Sequence, residues 1–214
     1  ELALGKDHPE LAKGLNNLGM SYQSQGRYAD AESLFERSIA MIELAFGKEH
    51  PDVATSLLNL ANVQKNQGRY TEAESIFKQS ISIRERALGK DHPWAASSLY
   101  QLARMYWSIE KPKESLDLLQ RAIGNIRTRP LNFGNLALVP SNEQELFAEL
   151  YSEHVKVALE MQGTDNNTAL ISEAFESIQL ANTSEAGSAL KNTIARFAAN
   201  DDEIANLVRQ RQNA

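Results

Sequence analysis

The sequence predicts an all-α fold assembled as a repeat solenoid, and three observations carry that prediction. His-Pro pairs stand at His8-Pro9, His50-Pro51 and His92-Pro93, each 42 residues after the last. The segment QGRYADAESLFERSI at residues 25–39 returns as QGRYTEAESIFKQSI at residues 67–81. Gly-Lys recurs just ahead of each His-Pro pair, as Gly5-Lys6, Gly47-Lys48 and Gly89-Lys90. A period of this length marks units that each bury an apolar face against their neighbours, so function falls on the extended surface that stacking creates.

Each repeat reads as two helices. Pro9, Pro51 and Pro93 open the first, because proline at the first helical position gives up only an amide that has no partner inside the helix. That helix runs to Gly26 or Gly68, where glycine takes the left-handed conformation that stops it. The second helix follows over about residues 28–45 and 70–88. In the third repeat Glu110 replaces the glycine and Pro112 the tyrosine, so a differently built turn is expected there. The Asp/Glu-His ahead of each proline is a helix start signal, and its recurrence at every joint assigns His8, His50 and His92 to capping and packing.

Inside this frame Leu15, Leu18, Gly19 and Tyr22, followed by Ala31 and Phe35, are spaced to face inward, with small residues where helices approach and large ones between them. The second repeat offers Leu57, Leu60, Ala61, Gln64, Ala73 and Phe77, the third Leu99, Leu102, Ala103, Tyr106, Ser115 and Leu119. This spacing resembles the tetratricopeptide pattern, with leucine where that pattern prefers tryptophan, over residues 1–127. The long period with GK(D/E)HP joints is similar to the version in kinesin light chains and many bacterial regulatory proteins. The resemblance implies a right-handed superhelical solenoid that binds protein or peptide segments in a concave groove.

Residues 1–6 align with residues 43–48 and 85–90, so residue 1 falls in the closing helix of an earlier repeat and more repeats are expected ahead of it. Beyond Arg127 the period stops. Residues 128–140, with Pro130, Gly134 and Pro140, read as a linker whose Leu131, Phe133, Leu136, Leu138 and Val139 are too apolar to stay in water. Ser141 and Gln144 suggest a capping box for a helix carrying Phe147, Leu150, Tyr151 and Val155, ended by Gly163. Further helices are expected over 167–181, 184–199 and 201–214. Residues 141–214 are read as a helical region that caps the array and leads to a missing domain. Residues 174–212 resemble the segment that precedes the caspase-like peptidase domain in bacterial TPR-CHAT proteins. That resemblance implies the sensor or regulatory part of a larger bacterial protein, with the catalytic domain C-terminal to Ala214.

Charge and composition exclude several functions. Residues 1–127 carry 16 Lys and Arg against 16 Asp and Glu, while the remainder carries 6 against 12 and supplies the whole net charge of −6. A neutral-to-acidic chain lacks the basic field that nucleic-acid binding needs. No apolar run approaches the roughly 20 residues of a membrane span, so neither nucleic acid nor membrane is an expected partner. With no cysteine, a disulfide framework, a Cys-ligated metal and a thiol nucleophile fall away together, and a cytoplasmic home is the expectation. No nucleophile elbow or phosphate loop occurs, and His154 has no second ligand three or four residues away. We therefore expect no enzyme active site, no metal and no cofactor in these residues.

The candidate site is the groove. With the signature residues inward, Lys13, Asn16, Asn17, Met20 and Gln23 lie on the opposite side of the first helix. Their counterparts are Thr55, Asn59, Asn62, Lys65 and Asn66, then Tyr100, Gln101, Arg104 and Trp107. Asn17, Asn59 and Gln101 make a ladder of amides, which both donate to and accept from a peptide backbone and suit an extended segment. Tyr100, Arg104 and Trp107 are residue types enriched at binding hot spots. Lys13, Lys65 and Arg104 favour an acidic segment. Where some tetratricopeptide domains carry the basic residues that clamp a chaperone's terminal carboxylate, this chain has Ser97 and Gln101, so that clamp is not implied.

Overall fold

Proline opens the helices where the sequence places it. In a computed structural model that describes residues 9–127 and 141–165, α1 spans Pro9–Ser24, α2 Tyr28–Phe46, α3 Pro51–Asn66, α4 Tyr70–Leu88, α5 Pro93–Ser108, α6 Pro112–Arg127 and α7 Ser141–Asp165. Among the described residues every element is a helix. The helices expected over 167–214, the linker and His8 lie outside the described residues. The chain divides into two compact units, Glu1–Met105 and Tyr106–Ala214.

The histidines act as caps. The backbone N–H of Asp52 donates to His50 Nδ1 at 3.2 Å and that of Trp94 to His92 Nδ1 at 3.1 Å. Each imidazole thereby satisfies one of the orphan amides at the start of α3 and α5, the task usually given to Ser, Thr, Asp or Asn. The His50 ring also stacks on Phe46, with centroids 4.7 Å apart.

All three turns inside the repeats are built alike, which corrects the expectation for the third. Gly26 and Gly68 have φ of 75° and 78°, and Glu110 takes φ 58° at the same position. The backbone closes identically: the amides of Arg27, Arg69 and Lys111 each reach back five residues, to the carbonyls of Tyr22, Gln64 and Tyr106, at 2.9 Å. A side chain in the left-handed region costs about 1 kcal/mol or more relative to glycine. The turn's hydrogen bonds override that local cost.

In the first unit α1 pairs with α2 and α3 with α4, and α2 packs on α3. Ala12, Ile42, Val53, Ala54, Leu57 and Ile83 form one buried cluster, and Ala31, Phe35, Leu60 and Val63 another. Leu60 and Val63 are thus buried by the preceding repeat's α2. Leu18, expected to face inward like Leu60, is 43% exposed, because no described helix precedes α1 to cover it. Gly19 permits close approach: a Cβ there would lie 2.7 Å from Phe35 Cε1.

Polar side chains tie helices together both within and between repeats. Buried Ser38 and Ser80 donate to the carbonyls of Ala12 and Ala54 at 2.9 and 2.8 Å. The Arg69 guanidinium grips Glu32 with two bonds of 3.0 and 2.9 Å, joining the α3–α4 turn to α2. In the second unit α6 packs on α7, with Leu116, Leu119, Ile123, Ile126, Phe147, Leu150 and Tyr151 all buried. Helix α7 continues through Gly163, so this glycine is not its stop signal as expected.

Candidate functional site

The face of α1, α3 and α5 expected to line the groove is built from residues the 3.6-residue period turns away from the helix-pair cores. Lys13, Asn17 and Met20 are exposed on α1, with Asn16 and Gln23 half-buried; on α3, Thr55, Asn59, Asn62 and Lys65 are half-buried and Asn66 is exposed. On α5, Gln101 is half-buried and Arg104 exposed. Trp107 belongs to the second unit.

The amides meet in a different register from the predicted ladder. Asn59 Nδ2 donates to Asn16 Oδ1 at 3.0 Å, so Asn59 pairs with the neighbour of Asn17. The pairing is offset by one residue from the repeat period, which the sequence alone does not reveal. Asn62 Nδ2 is likewise spent on the Leu58 carbonyl, 3.0 Å away. Each of these donations uses one N–H, and a primary amide carries a second donor and a carbonyl acceptor besides.

Tyr100 is a correction to the predicted surface: it is 5% exposed and mostly core. The Arg104 guanidinium lies 5.6 Å from the centroid of its ring. The Lys13 ammonium pairs with Glu10 at 2.9 Å one helical turn away, and both side chains stay exposed. Lys65 on α3 and Arg104 on α5 are two further cations of this face. Burial first, then the charge of Arg104, lowers the pKa of Lys65.

Beneath this face sits a residue the pattern reading missed. Arg84 is 4% exposed at a position held by Ile42 and Ile126 in the flanking repeats. Its guanidinium donates to the Trp94 carbonyl at 2.8 Å, to Ser98 Oγ at 2.9 Å and to Thr55 Oγ1 at 3.2 Å. Burial lowers its pKa to about 10. The signal was available as a break in the apolar period, since a charge replaces isoleucine at the repeat's 42-residue spacing. Through Thr55, Arg84 orients a hydroxyl of the groove. Among the described residues no group of three or more metal-ligating side chains stands together, and no helix is long and apolar enough to cross a membrane.

A family model described as tetratricopeptide repeat matches residues 1–43, 10–83 and 52–127. The fold is similar to the nearly identical TPR-like repeats of a Podosopora anserina kinesin light chain protein, with a TM-score of 0.54 and 21% identity over 90% of this chain and 97% of that one. BtubC (BKLC) from P. vanneervenii is also similar, with a TM-score of 0.59 and 18% identity over 90% of this chain and 68% of that one. At these identities the likeness speaks to the fold. No match is found among curated proteins.

Proposed function

The chain belongs to the tetratricopeptide repeat family, and from that premise we propose that it is an interaction scaffold holding an extended, acidic protein or peptide segment in the groove lined by α1, α3 and α5. The observation that carries this reading is the Lys65–Arg104 pair, two cations on one face whose mutual repulsion a carboxylate would relieve. The amides of Asn16, Asn59 and Asn62 supply the donors and acceptors an extended backbone needs. Arg84, through Thr55, holds one edge of the face in place.

The test is binding of a glutamate-rich peptide against a glutamine-matched control, followed by calorimetry at several salt concentrations. Lys65→Ala and Arg104→Ala are each expected to weaken the glutamate peptide by about 1–3 kcal/mol with the helical spectrum unchanged. Added salt should weaken it too, since exposed charges are screened. Equal affinity for the two peptides would place the contact surface elsewhere on the array.

The resemblance of residues 174–212 to the segment ahead of caspase-like domains supports a nested reading, in which the array senses a ligand for a peptidase. Its test is the coding sequence downstream of Ala214. A Cys and His in a caspase-like setting would support the peptidase, and their absence would leave an adaptor.

A further inference from the structure

In the second unit, Trp107, Glu110, Pro112, Glu160 and Met161 line an open cleft of about 330 Å³. Trp107, Pro112 and Met161 provide an apolar floor, and the exposed carboxylate side chains of Glu110 and Glu160 supply negative charge. Such a volume lies at the lower limit for ligand pockets and suits one side chain better than a whole small molecule. From these features we infer that the cleft is a subsite for a lysine or arginine side chain of a protein partner. The aliphatic stem packs on the floor and the cationic head meets the carboxylates, the division of labour long basic side chains adopt at surfaces.

Two further observations point the same way. The Lys156 ammonium lies 5.4 Å from the centroid of the Trp107 ring, so the chain's own cation already marks the aromatic face as one that attracts positive charge. Glu110 holds the left-handed backbone position that glycine holds in the other two repeats, and among the described residues it is the one non-glycine with positive φ. Backbone strain retained at a cleft is a pointer to function. A glycine there would close the same turn without strain and without a carboxylate. The proposal stands apart from the acidic-segment reading, which rests on Lys65 and Arg104 in the first unit.

The full chain has two tryptophans, so its two indole N–H signals report on Trp94 and Trp107 separately once Trp107→Phe assigns them. The probes are acetyl-Ala-Ala-Lys-Ala-Ala-amide and its norleucine counterpart. The lysine peptide is expected to shift the Trp107 indole saturably and to bind about tenfold tighter than the norleucine peptide. Glu110→Gln and Glu160→Gln should each weaken it about two- to fivefold, and Lys156→Ala, which removes the competing ammonium, should tighten it. Glu110→Gly should bind weaker yet melt higher, which separates loss of the carboxylate from loss of the fold. No saturable shift, equal binding of the norleucine peptide, or unchanged affinity in both glutamine variants overturns the proposal.

Discussion

The hydroxyls of Ser38 and Ser56 lie 3.1 Å apart in the core, and the pair recurs one repeat later as Ser80 and Ser98 at 3.3 Å. Ser38 has one proton and donates it to the Ala12 carbonyl, so it accepts from Ser56. Three helices, α1, α2 and α3, are thereby joined through a single buried hydroxyl. Ser38→Ala leaves the Ser56 proton without its acceptor and is expected to cost about 1–3 kcal/mol, whereas Ser56→Ala removes one donor and costs about 1 kcal/mol. Urea unfolding of the two variants checks the order. The double variant should lose less than the sum, because the two side chains share one bond.

Arg84 is a charge buried without a carboxylate in ion-pair reach among the described residues. Replacing a buried charge by a packed apolar side chain of similar volume is commonly neutral to stabilising, by up to about 4 kcal/mol. Arg84→Ile, which restores the residue type of positions 42 and 126, is therefore expected to hold or raise the melting temperature. Arg84→Ala should lower it, because a cavity opens and Thr55 and Ser98 lose a donor. If Arg84→Ile unfolds the chain, the arginine is structural; if it folds well and loses the glutamate peptide, the arginine serves the groove.

His154 is 2% exposed, and burial pushes its pKa down from 6.5 to about 4. Between these values the unfolded chain takes up a proton that the folded chain refuses, so falling pH favours unfolding. The stability is fully present above about pH 6.5 and is lost as pH drops towards 4, by an amount on the order of 3 kcal/mol at most. Unfolding curves at pH 7.5 and pH 5 measure it. His154→Leu should remove most of the difference, and an unchanged pH dependence would assign it to other groups.

Helix α6 buries Leu116, Leu119, Ile123 and Ile126 while α7 packs against it. Each large side chain that α7 covers would lose up to about 1.5–3 kcal/mol of burial on its removal. Ending the chain after Thr128 is expected to lower the melting temperature or drive association, and Phe147→Asp in the full chain should act in the same direction. A truncated chain as stable and monodisperse as the full one would make α7 a connector and not a cap.

Much of the fold was legible because the 42-residue repeat states the same local instruction three times. Proline starts, histidine joints and the apolar period each gave an element boundary within a residue or two, since these depend on backbone chemistry close along the chain. The third turn misled the reading for the same reason: Glu110 in place of glycine looks decisive locally, yet the hydrogen bonds of the turn hold it left-handed. For the residues proposed to bind, the period assigns a helix face but not which side chains on it stay exposed. Tyr100 sinks into the core and Asn59 turns to Asn16, and both depend on neighbours packed in space, whereas the exposed Glu10–Lys13 pair is local to one helix.

The sequence by itself determined the helices, their order and the family, because helix propensity, capping and repeat spacing are properties of short stretches. Only the tertiary structure decided which polar groups bind each other and which remain for a partner. Stacking sets the stagger between helices, and a shift of one residue in that stagger decides whether an amide, a hydroxyl or a guanidinium meets protein or solvent. That is why Ser38, Arg84 and the cleft beside Trp107 emerge from the packed molecule, though each was in plain view in the chain.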